Sequence, residues 1–67
     1  MRIKYGKQTL AELSGRDGHY MVFSRITGVH HGLLVAKGET PEEATAAFEE
    51  WVRRTHPRVL EAGDPCL

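Results

Sequence analysis

The chain has 67 residues, which fits one small domain with a thin core and leaves no room for a second. Hydrophobic residues make up 40% and charged residues 27%, a globular composition and not a disordered one. Nine basic and nine acidic side chains cancel to a formal charge of zero, no apolar run approaches the roughly 20 residues that span a bilayer, and the single cysteine, Cys66, excludes an intramolecular disulfide.

From the start of the chain, Ile3 to Ser14 is expected to form a first strand. Leu10 and Leu13, with Thr9 as a cap, would also suit one helical turn, but the hairpin signal that follows needs two arms. That signal is Gly15-Arg16-Asp17-Gly18. A second strand follows at Tyr20 to Ile26, rich in β-forming side chains. Gly28-Val29-His30-His31-Gly32 links it to a short third strand, Leu33 to Lys37.

The strongest element comes next. Thr40 can cap a helix through its hydroxyl, Pro41 sits where a missing N–H costs nothing, and Glu43 completes a capping box. Ala44, Ala47, Phe48, Trp51 and Val52 form one apolar stripe of 3.6-residue period. Pro57 predicts the end of the helix near Thr55. The fold expected is α+β: a three-stranded antiparallel sheet with one helix packed on one face, in the order β-β-β-α. Residues 1–57 form that single domain and residues 58–67 a short tail, with one helical turn from Arg58 and a frayed end from Asp64.

No reactive centre emerges from the residue pattern. His19, His30, His31, His56 and Cys66 lack the paired spacing of a metal site, so no metal or cofactor is expected. The acids cluster at the helix start and on its outer face, where capping and solvation account for them, and no catalytic residue is assigned. The basic start runs into no apolar stretch, so no secretory leader is expected, and with one cysteine the compartment expected is the cytoplasm. So small a core makes self-association or a partner protein a reasonable expectation.

The zero net charge conceals a division. Residues 1–37 hold six bases and two acids, and residues 38–67 hold three bases and seven acids. One candidate surface is therefore a nucleic-acid face on the sheet, with Tyr5, Tyr20 and Phe23 stacking on bases and Arg2, Lys4, Arg16, Arg25 and Lys37 meeting phosphates. The favoured candidate is protein binding, with Trp51, Phe48 and Tyr5 as contact residues.

Gly18-His19-Tyr20, Gly28 and the run Gly38-Glu39-Thr40-Pro41-Glu42-Glu43-Ala44, in the order strand, turn, strand, bend, strand, helix, resemble the HicB-like antitoxins. The likeness spans roughly residues 3–55. It implies a degenerate RNase H-like β-β-β-α domain without nuclease acids, which forms homo-oligomers and neutralises a small mRNA-cleaving toxin by binding it. Many members carry a DNA-binding segment after the helix, and residues 58–67 are too short for one.

Overall fold

The computed structural model describes residues 1–26 and 31–67. Two tight turns shape the first half. β1 (Arg2–Tyr5) and β2 (Gln8–Arg16) join through Gly6-Lys7. Gly6 has φ +63° and Lys7 does not share the positive sign, the two-residue hairpin pattern that asks for glycine at its first position. β3 (His19–Ser24) returns through Asp17-Gly18, where φ is +41° and +83°, so both turn residues are left-handed. β4 (Leu34–Gly38) lies beside β3, and β5 (Pro65–Cys66) lies beside β1. The sheet is antiparallel throughout, in the order β4-β3-β2-β1-β5.

Among the described residues the architecture is α+β with one main helix, and the sheet has five strands where three were expected. The single strand expected over residues 3–14 is a hairpin. Its turn carries an isolated glycine between Tyr5 and Lys7, a weaker signal than Asp-Gly. The helical alternative at Leu10 does not occur. Leu10 is the extra residue of a bulge, since Ile3 pairs with Ala11 and Lys4 with Thr9. The tail also departs from expectation. Pro57–Ala62 forms a short 3-10 segment, and Pro65 and Cys66 then pair with Tyr5 and Lys4. Of the expected bend, Gly28 to His30 lies outside the described residues.

The helix α1 (Pro41–Thr55) has the bounds its caps predict. The Thr40 hydroxyl accepts from the Glu43 N–H at 3.1 Å. The Glu43 carboxylate reaches back one residue beyond the cap and accepts from the Glu39 N–H, also at 3.1 Å. At the other end the His56 N–H donates to the Val52 carbonyl. Ala44, Phe48 and Val52 bury the inner stripe against Ile3, Tyr5, Ala11, Leu13, Val22 and Ala36, and these residues are the core. Ring contacts continue it, with Phe48 edge-on to Tyr5 at 6.1 Å and stacked on Trp51 at 5.7 Å. The buried Thr45 and Ser24 side chains are satisfied locally: Thr45 donates to the Pro41 carbonyl, and Ser24 accepts from the Ile26 N–H.

Gly38 sets how closely the helix approaches the sheet. A Cβ there would run into the backbone nitrogen of Ala44 and stand 2.8 Å from the Glu43 carbonyl carbon. Backbone cannot yield as a side chain tip can. Gly38→Ala is therefore expected to destabilise the fold by about 1–3 kcal/mol, and Thr40→Ala by about 1 kcal/mol through loss of the cap. Urea denaturation of both variants checks the order of the two effects.

Candidate binding face

One helix covers one side of the sheet, and strand alternation decides what the other side carries. Directly opposed residues of antiparallel strands share a face. Ile3, Ala11, Leu13, Val22 and Ala36 belong to the buried side. The registers Arg2–Glu12, Lys4–Thr9, Glu12–Phe23, Ser14–Met21, Arg16–His19, Met21–Lys37 and Phe23–Leu34 then define the open side.

That side has a consistent chemistry. Met21 and Leu34 are 38% and 43% exposed, Phe23 is half-buried between them, and the three make an apolar patch over β3 and β4. Around it stand Arg2, Lys4, Arg16, Arg25 and Lys37, all exposed. The acid among them, Glu12, is engaged twice, by Arg25 at 2.6 Å and by Arg2 at 3.7 Å. These pairs are solvent-exposed, so they hold the arginines in place more than they stabilise the fold. Lys4, Arg16 and Lys37 have no acidic partner among the described residues. The opposite layer is acidic: Glu42, Glu49 and Glu50 lie on the outer part of α1, with Arg53 tied to Glu50 at 2.9 Å. The division of charge along the sequence is thus largely a division between the two layers. At one end of the open face a groove of about 720 Å³ brings His19 and Lys37 alongside Glu39 and Glu43.

The sequence-derived candidates separate accordingly. Arg2, Lys4, Arg16 and Arg25 all fall on the open face. Tyr5 and Phe48, expected as partner contacts, are fully buried and belong to the core. Their strand and helix positions both point into the space between the layers, which leaves them no surface to offer. Trp51 is half-buried between Phe48 and the His56 ring, 5.2 Å away. Phe23, a base-stacking candidate by sequence, shares this face with Met21 and Leu34, to which the sequence pattern assigns no role. Met21, Phe23 and Arg25 share a parity, and an arginine in that set turns it toward water.

His19 and His31 are exposed, His56 caps the helix with its Nδ1 2.9 Å from the Thr55 hydroxyl, and His30 lies outside the described residues. Among the described residues no three of His, Cys, Asp or Glu converge to hold a metal ion. No helix among them is long and apolar enough to cross a membrane. No family model, curated protein or solved structure matches the chain.

Tyr5 carries one electrostatic consequence. Its hydroxyl is buried without a hydrogen-bond partner among the described residues. Burial pushes its pKa up to about 12, the Glu49 carboxylate adds to the rise, and the Arg53 guanidinium opposes it. The folded state therefore keeps a proton that the unfolded chain loses near pH 10. Stability from this group is complete below pH 10 and falls between pH 10 and about 12, by roughly 2–3 kcal/mol. Tyr5→Phe is expected to match or exceed the native stability at neutral pH, by up to about 1 kcal/mol, because no buried hydroxyl is orphaned. It should also lose that part of the alkaline decline, which parallel urea titrations at pH 8 and pH 11 would measure.

Proposed function

We propose that the chain is a non-enzymatic binding module that docks a protein partner on the open face of its sheet. The observation that carries this reading is the composition of that face: Met21 and Leu34 exposed and Phe23 half-buried on β3 and the edge strand β4, with Arg2, Lys4, Arg25 and Lys37 on the same side of the sheet. An exposed apolar patch with a polar rim is the usual form of a protein-docking surface. The resemblance to HicB-like antitoxins supports a small mRNA-cleaving toxin as the partner, with the module acting by covering the toxin's working surface. The acidic outer layer of α1 suits a basic partner and offers such a toxin a second point of contact.

A second reading uses the same face for single-stranded nucleic acid. What favours it is the excess of basic side chains there, with Phe23 available to stack on a base.

Co-expression with the product of the adjacent reading frame tests the first reading. A stoichiometric complex is expected, with Met21→Asp and Leu34→Asp each weakening it at least tenfold while leaving the melting temperature of the free module nearly unchanged. If no complex forms, and the module instead binds a labelled single-stranded RNA with affinity that falls steeply with salt, the second reading takes its place. Alanine at Arg2, Lys4, Arg16 and Arg25 together should then flatten the salt dependence.

A further inference from the structure

Resting on the docking reading above, we propose that the groove at the end of the open face receives an arginine side chain of the partner. Lys37, Glu39 and Glu43 line this space of about 720 Å³, yet among the described residues none of the three is ion-paired with another. In this they differ from Glu12, which two arginines engage. Glu43 commits one carboxylate oxygen to the Glu39 N–H at 3.1 Å. Its other oxygen and the whole Glu39 carboxylate accept no hydrogen bond among the described residues. Two carboxylates against one ammonium leave the groove net negative, at the end of a face that is otherwise rich in bases.

The lining narrows the choice of occupant. Gly38 adds backbone alone, because the start of the helix leaves no space for a side chain there, and a Cβ at Gly18 would meet nothing within 4 Å. Tyr20, opposite Gly38, and Met21, opposite Lys37, contribute ring and hydrocarbon. A guanidinium complements this set. It presents its donors in a planar fork that matches carboxylate oxygens, it stacks on rings, and its methylene stem can cover Met21. A lysine ammonium is a compact point charge without the fork. A phosphate is repelled by both carboxylates, so this end of the face favours a protein over a nucleic-acid strand. A docked partner is thereby oriented, with its arginine in the groove and its acids toward Arg2, Lys4 and Arg25.

Nα-acetyl-arginine amide, titrated into the isotope-labelled chain and followed by amide NMR, should shift His19, Met21, Lys37 and Glu39 saturably, with a dissociation constant on the order of millimolar. The citrulline analogue, its neutral isostere, should bind roughly tenfold more weakly. Glu39→Gln and Glu43→Gln should each weaken the arginine probe to a similar extent, and Glu43→Gln keeps an oxygen for the Glu39 N–H, so the helix start stays capped. Inorganic phosphate should leave the same amides in place. A response without saturation, one equal for arginine and citrulline, one unchanged in both variants, or one to phosphate at these amides overturns the proposal. If the product of the adjacent reading frame forms a complex while the titration stays blank, the arginine groove falls and the docking face stands. A saturating titration with no complex keeps the groove as a guanidinium site and removes the docking reading.

Discussion

A single helix can roof only one side of a sheet, and the rest of this molecule follows from that limit. The fifteen residues of α1 supply one inner stripe, built on Ala44, Phe48 and Val52, and it closes over one side alone. Gly38 and Thr40 make the closure tight. The first lets the β4 backbone pass against the start of the helix, and the second fixes where the helix begins. The side chains of opposite parity are then left without a helix over them, whatever their polarity. Met21 is exposed and Phe23 only half-buried for this reason.

The same limit explains how a chain without net charge presents charged surfaces. Lysine and arginine predominate at the outward positions of the strands and glutamate at those of the helix, whose last turn adds Arg53 and Arg54. Each layer therefore faces solvent with its own sign. A partner approaching from the sheet side meets hydrocarbon inside a cationic frame, and one approaching from the helix side meets carboxylates. The two sides select different chemistries on electrostatic grounds before any close packing begins.

Much of the fold was legible in the sequence where a local rule and the tertiary structure agree. The helix matches at both ends because a threonine cap, a proline at the first position and a second proline after the last turn each act within a few residues. The Asp-Gly hairpin is of the same kind. Two features escaped. The Gly6-Lys7 hairpin is local but marked by one isolated glycine, and Pro65–Cys66 pairs with residues far off in the sequence and, with two residues, has no periodicity to detect. Of the candidate surfaces, the basic residues were legible as a group because charge divides along the chain. The aromatic ones divide. Phe48 already lies on the apolar stripe that the helical period turns toward the sheet, whereas only the assembled layers turn Tyr5 inward.

The pairing of Tyr5 with Pro65 has a bearing on how this molecule could be watched. β5 is held by only two residues of ladder that pair with residues at the far end of the chain, so its detachment is the least costly opening available to that edge. Detachment would open the edge beside the Tyr5 phenol, which has no hydrogen-bond partner among the described residues, and its ultraviolet absorption would change with ionisation at high pH. The orphaned oxygen is thus a spectroscopic gauge of fraying at the short edge, built in without a label. Its signal is separable from global melting, because the remaining four strands and the helix would stay assembled while it fires.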